Sequence, residues 1–271
     1  MEFDTRLHPE SSLPTLDLHF RQLLNKANVK LEDILAIGVS LPGPVSAAAG
    51  AMINQPMMPD WENFPLRPRL EELWPVPIVL NGDAELGALG EWACGAGRGE
   101  RNLVYLKVGS SIRAGLLLDG RLYNGAAGYA GEIGHMAVAA NGPICSCGNR
   151  GCLEAVAGGS AIARKAQEAV IVGRRTQLAS IDPVDHLTAR EVTDAARLGD
   201  LVAQQIIMEA GNYLGIAIAQ MVNVLNPSLI VVGGGIAQMG DLLVEPIRQA
   251  MREHSWIPSA RVVRVTTATL G

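Results

Sequence analysis

LVYLKVGSSIRAGLLLDGRLYNG, residues 103–125, holds two apolar runs, Leu103 to Val108 and Ala114 to Leu118, joined through Ser110 to Arg113. Asp119-Gly120 follows the second run, and Asp-Gly between apolar segments is a hairpin signal, so the stretch predicts an antiparallel strand unit. Outward from it, further runs rich in β-branched residues occur at Ile34 to Val39, Val76 to Leu80 and Leu229 to Val232. Helix-like stretches lie between the runs at Leu16 to Ala27, Asp83 to Cys94, Ser160 to Val170 and Leu201 to Leu225. Strands alternating with helices read as an α/β fold. Apolar residues occupy nearly every face of Leu201 to Leu225, which predicts a helix buried between layers. The glycine-rich CGAGRGERN (Cys94 to Asn102) has no periodicity, and a boundary is placed there. It separates an N-terminal α/β domain over 1–103 from a C-terminal α/β domain over 104–271.

The 271 residues are enough for one large or two modest domains, and 48% are hydrophobic while 18% are charged. That balance, with a mean hydropathy of +0.20, excludes intrinsic disorder. The net charge is −5 and no basic run occurs, so DNA contact is expected only through a domain outside this sequence. No stretch approaches the roughly 18 apolar residues of a membrane span, and MEFDTRLHPE lacks the apolar core of a signal peptide. A cytoplasmic protein without membrane partners is expected.

Three of the four cysteines, Cys145, Cys147 and Cys152, fall in CSCGNRGC, and His135 stands ten residues before them. Three thiols and an imidazole make a tetrahedral ligand set, so the segment predicts a structural Zn²⁺ site with a fully protein-filled shell. Gly148 and Gly151 let the backbone fold around one point. Cys94 is left out of the set as a small apolar residue of a helix.

With these residues in view, GEIGHMAVAANGPICSCGNRGCLE (131–154) resembles the signature of the ROK (repressor, open reading frame, kinase) family of sugar kinases and sugar-responsive repressors. Further segments resemble that family in order: GVSLPGPVSAAAGAMINQPMMPDWENFPL, NGDAELGALGEW, LVYLKVGSSIRAGLLLDGRLYNG and LNPSLIVVGGGIAQMGDLL. The resemblance implies an actin/hexokinase-like (ribonuclease H-like) fold of two α/β domains that hold a hexose or amino-hexose, with assembly as a homodimer. It places Asp83 where the family has its catalytic base, Glu132, His135 and Glu154 where it binds sugar hydroxyls, and Asn54 where a loop amide assists. Gly109, Ser110 and Gly233 to Gly235 fall where it holds a nucleotide. His135 would serve twice, with one ring nitrogen on zinc and the other toward sugar. Read without the resemblance, Asp83 also suits a helix N-cap, Glu132 and Glu154 solvated loop positions, Asn54 a turn, and the three glycines a strand-to-helix turn.

The sequence departs from the family where phosphate would bind. No Asp-x-Gly-Gly-Thr segment is present, and the opening strand pair that carries it is expected to be missing. The second phosphate loop, usually Gly-Thr-Gly-Ile-Gly-x-Gly, reads Gly109-Ser110-Ser111-Ile112-Arg113-Ala114-Gly115, where Arg113 either supplies charge to a phosphate or obstructs the turn. The Asn that precedes the catalytic Asp is Gly82 here, and Glu85 replaces another two positions after it. These departures favour the sugar-sensing effector domain of a transcriptional regulator. The alternative is an ATP-dependent hexose kinase of the glucokinase kind, which would require ATP and Mg²⁺.

Overall fold

The computed structural model describes residues 8–46, 49–53 and 58–270. Helix α1 (Pro9–Ala27) starts on a proline at its first position, where no amide partner is needed, and ends on Asn28 in the left-handed region. Strands β1 (Ile37–Leu41), β2 (Val45–Ser46) and β3 (Ala51–Met52) follow, then helix α2 (Leu66–Leu73) and strand β4 (Ile78–Gly82). β1 and β4 pair in parallel, with Ile37 opposite Ile78 and Leu41 opposite Gly82, while β2 and β3 form a short antiparallel ladder. Leu13, Leu41, Met52, Leu70, Trp74 and Leu80 form the core of this part. The Trp74 indole donates to Asp17 at 2.7 Å, and Arg21 beside that carboxylate holds its pKa below the usual range.

Helix α3 (Asp83–Cys94) runs directly out of β4. Beyond it, β5 (Leu103–Val108), β6 (Ile112–Leu118), β7 (Arg121–Leu122), β8 (Leu229–Gly233) and β9 (Arg264–Thr267) form one sheet in the order β7-β6-β5-β8-β9. β5 is antiparallel to β6 and parallel to β8, and β8 is parallel to β9. Successive strand residues serve opposite faces. Val104, Leu106, Ile230 and Val232 join a large core, while Leu103, Tyr105, Leu229 and Val231 join a smaller one with Ala88 and Trp92 of α3.

The large core is covered by α4 (Leu153–Ala157), α5 (Gly159–Ile171), α6 (Ala189–Arg197), α7 (Leu201–Leu225) and α8 (Asp241–His254), and α9 (Ile257–Val262) leads into β9. α7 and α8 approach closely because Gly211 and Gly215 carry no side chain. A Cβ at Gly215 would sit 2.6 Å from Ala250 Cβ and from the Ile247 carbonyl oxygen.

The chain divides into two compact units, Met1–Leu86 with Gly125–Tyr129, and Gly87–Asn124 with Ala130–Gly271. The division falls inside α3 rather than near residue 103, because Ala88 and Trp92 pack on the five-stranded sheet. Gly125–Tyr129 joins the first unit, where Gly128 lies against the Val45 carbonyl. No helix of the described residues is long and apolar enough to cross a membrane. Cys94 ends α3 exposed, so it is not the buried apolar residue that its sequence context suggests.

Glu91 fastens the last described residues to α3. Only 2% exposed, it accepts from the amides of Ala96 (2.7 Å), Thr269 (2.8 Å) and Leu270 (2.9 Å). Burial alone would raise its pKa, but these donors outweigh burial and hold it below the ordinary 4.5. Its stabilisation is therefore present above that value and is lost as the pH falls through the depressed folded-state value. Glu91→Gln, which turns an NH₂ group toward amide donors, should cost about 2 kcal/mol at pH 7 and progressively less below about pH 4. Urea unfolding at both pH values measures it, and an equal loss at both would contradict the account.

Candidate functional site

Gly131–Gly134 lies flush against the start of β6. The Ala114 amide donates to the Gly131 carbonyl at 2.8 Å, and a Cβ at Gly131 (φ +96°) would lie 1.9 Å from the Ala114 carbonyl oxygen. A Cβ at Gly134 would lie 2.3 Å from the Ile112 carbonyl oxygen. Glycine is thus needed on both sides of Glu132, whose backbone leads into a 3₁₀ turn, Ile133–His135. His135 at the end of that turn is brought to the cysteine loop.

The loop folds back on itself by bridges between Ala137 and Cys152 and between Ile144 and Arg150. One ligand atom from each of His135, Cys145, Cys147 and Cys152 lies within 4.8 Å of all the others. Cys145 Sγ stands 3.7 Å from His135 Nδ1, and Cys147 Sγ stands 3.7 Å from Cys152 Sγ. Four ligands at ~2.0–2.3 Å from a central ion have tetrahedron edges of about 3.3–3.8 Å, and both of these separations fall in that range. Backbone donation from Asn149 lowers the Cys147 pKa, whereas burial and then the neighbouring thiols push Cys152 up to about 12. A thiol so placed loses its proton at neutral pH when a coordinating cation replaces it. His135 turns Nδ1 to the cluster, which leaves Nε2 for a second partner.

Two carboxylates flank this loop. Glu154, in the first turn of α4 just after Cys152, accepts from the Ile112 amide at 3.0 Å. Glu132 accepts from Nε (2.8 Å) and Nη2 (2.7 Å) of Arg113. Both glutamates are thus held by consecutive residues of β6. Arg113 stands in that strand opposite Lys107 of β5, with its side chain buried, rather than in a tight turn, and its guanidinium goes to a carboxylate. The turn itself is only Gly109–Ser111, seated on the start of α5 by donation from the Gly159 amide to the Gly109 carbonyl at 2.8 Å. Reading the sequence alone missed the Arg113–Glu132 pair. Its signal is one charged residue in an otherwise apolar buried strand, where a charge needs a partner.

The remaining site residues lie at strand ends. Asp83 is half-buried in the first unit, directly after the carboxyl end of β4, and Gly109 and Ser110 follow the end of β5. Gly233 ends β8 and Gly234 and Gly235 follow it, but a Cβ at Gly233 would strike Tyr105 Oη at 2.1 Å, and one at Gly234 would lie 2.5 Å from the Val108 carbonyl oxygen. Packing against β5 accounts for both glycines, and Gly235 alone of the three has open space beside it. Asn54 lies outside the described residues.

The ROK family pattern matches residues 6–271, and a glucokinase of Halalkalibacterium halodurans is 38% identical over 88% of this chain and 73% of its own length. The chain belongs to the ROK family. A ROK transcriptional regulator described as a homolog of E. coli MLC superposes with a TM-score of 0.83 at 28% identity, over 96% of this chain and 64% of the regulator. A ROK glucokinase from Streptomyces griseus, in complex with glucose and AMPPNP, gives 0.79 at 30% identity, over 88% of this chain and 78% of its own. The fold is therefore the actin/hexokinase-like fold of ROK proteins, and its relatives include kinases and repressors alike.

The cysteine loop of this ROK chain depends on unequal glycines. Gly151 (φ +71°) would place a Cβ 1.7 Å from the Ala139 carbonyl oxygen, whereas nothing lies within 4 Å of one at Gly148 (φ +89°). Gly148→Ala should cost about 1 kcal/mol for its backbone conformation, and Gly151→Ala about 3 kcal/mol or more because main chain must also move. Denaturant unfolding of the two variants measures the contrast, and equal losses would refute it.

Proposed function

We propose that this chain is the sugar-binding effector domain of a ROK transcriptional regulator, with a structural zinc bracing its ligand site. The observation that carries the choice is Arg113. Where a ROK phosphate loop has glycine, this chain commits a buried guanidinium to Glu132, and Tyr105 and Val108 fill the space beside Gly233 and Gly234 at the end of β8. Phosphoryl transfer rests on positioned donors and charge around the phosphates, so a turn without open backbone there is poorly suited to it. The high TM-score to a regulator supports the same side. In this reading DNA is contacted by a domain outside this sequence, and the protein acts in the cytoplasm. Leu201, Met208 and Val224, which α7 leaves exposed, support a homodimer.

The ligand is a hexose or amino-hexose. Its hydroxyls both donate and accept, and Glu132, Glu154, Asp83, His135 Nε2 and Asn54 are the groups that bond them. The S. griseus relative, solved with glucose, supports this class. Each carboxylate–hydroxyl bond is worth about 1.5–3 kcal/mol, so Glu132→Gln or Glu154→Gln should weaken binding by about 10- to 100-fold. Calorimetric titration of the full-length protein with glucose, mannose, N-acetylglucosamine, N-acetylmannosamine and xylose is the test. Binding of none at millimolar concentration would overturn the reading, and binding of xylose alone would change the sugar class.

A second reading, ATP-dependent hexose kinase, is favoured by the position of Asp83 at the carboxyl end of β4 and by the 38% identity to a glucokinase. Asp83 would then accept the proton of the attacking hydroxyl. ATP and Mg²⁺ would supply the phosphoryl group and its charge compensation. Sugar phosphate formed with ATP and abolished by Asp83→Asn would decide for the kinase, while binding without turnover is expected for the regulator.

For the metal, the donor set and its tetrahedral spacing support zinc held by His135, Cys145, Cys147 and Cys152. Native protein purified without chelator should carry one zinc per chain by elemental analysis. Cys147→Ala should release it and lower the melting temperature, because a structural ion contributes its binding energy to folding. Zinc-free native protein would exclude the site.

A further inference from the structure

The Arg113–Glu132 pair has an asymmetry that separates it from an ordinary ion pair. Two of the guanidinium's three donor nitrogens, Nε and Nη2, converge on Oε1 of Glu132 instead of forking over both carboxylate oxygens. Oε1 is thereby committed. The arginine side chain is 5% exposed and that of Glu132 27%, so the cation lies beneath the carboxylate and Glu132 is the member that a solute can reach. Lys107 stands directly opposite Arg113 in the β5–β6 register.

We propose that Arg113 is a positioning residue for ligand binding: by saturating Oε1 of Glu132 from beneath, it fixes the carboxylate so that Oε2 faces the ligand as a hydroxyl acceptor. Arg113 does not itself touch the sugar. The position that serves phosphate in a kinase loop has been transferred to the sugar side of the site. This inference rests on the sugar-binding reading of Glu132 above.

The test is a thermodynamic cycle on the full-length protein, titrated calorimetrically with D-glucose and N-acetyl-D-glucosamine. Arg113→Gln, which keeps a polar side chain and removes the charge, should weaken binding at least about tenfold. Arg113→Lys, whose point charge can still meet a single oxygen, should recover affinity to within about threefold of wild type. In a Glu132→Gln background the Arg113→Gln change should add less than about twofold, whereas in a Glu154→Gln background it should keep its full effect. A purely structural role would weaken binding equally in both backgrounds, and that result overturns the proposal, as does wild-type affinity in Arg113→Gln. Melting temperature and bound metal verify the fold of each variant. Where Arg113→Gln does not fold, a folded Arg113→Lys that has lost more than about tenfold overturns the proposal, and one within about threefold supports it. Wild-type protein that binds none of the five sugars named above refutes the sugar-binding reading itself, and where another of the five binds, the cycle is run with that sugar; wild-type binding unaltered in Arg113→Gln refutes only the role of Arg113.

Discussion

The site depends on one backbone contact, the seating of Gly131–Gly134 against the start of β6. A side chain at either glycine would drive the segment off the strand by more than an ångström, since ordinary contact distances are about 3.5 Å. With it seated, Glu132 meets Arg113, and His135 arrives at the thiols. The bridge from Ala137 to Cys152 then delivers Glu154 to the Ile112 amide. The cysteine–histidine cluster and the two carboxylates are therefore built together. The metal would stabilise the far side of a loop whose near side is pinned by main-chain packing.

How much of this the sequence disclosed follows from how local each feature is. β5, α3 and α7 run over the spans their patterns suggest, Leu103–Val108, Asp83–Cys94 and Leu201–Leu225, because each is a long apolar segment with clear punctuation. α8 is interrupted by Pro246 and α2 carries Pro68 within its span, so the usual helix reading fails there although tertiary packing keeps both helical. The domain boundary was drawn at a glycine-rich stretch, yet α3 belongs partly to the sheet that follows it. Here a packing partner distant in sequence outweighed local composition.

The grouping of His135 with the three cysteines is legible for the same reason of locality, since all four lie within 135–152. The Arg113 pair is not, because it depends on the register of residues 131–134 along β6, which no local pattern states. The glycines at the end of β8 show the converse. Their run resembles a nucleotide loop, but the neighbours of Gly233 and Gly234 are Tyr105 and Val108. A glycine needed for close strand packing and a glycine needed for a phosphate look alike in sequence.

Ile112 and Arg113 are adjacent residues of a buried strand, and each holds one glutamate. Both carboxylates are thus tethered to one strand, Glu154 through a main-chain amide and Glu132 through a buried side chain, and neither is free to follow a ligand. In the sugar-binding role proposed above, such a pair would act as a stereochemical ruler. An epimer with one hydroxyl turned the wrong way would not be followed by a compensating side-chain movement, and one acceptor would be left without its donor. A rigid pair of acceptors discriminates between sugars of equal size and composition, which a flexible pair of the same residues would bind almost alike.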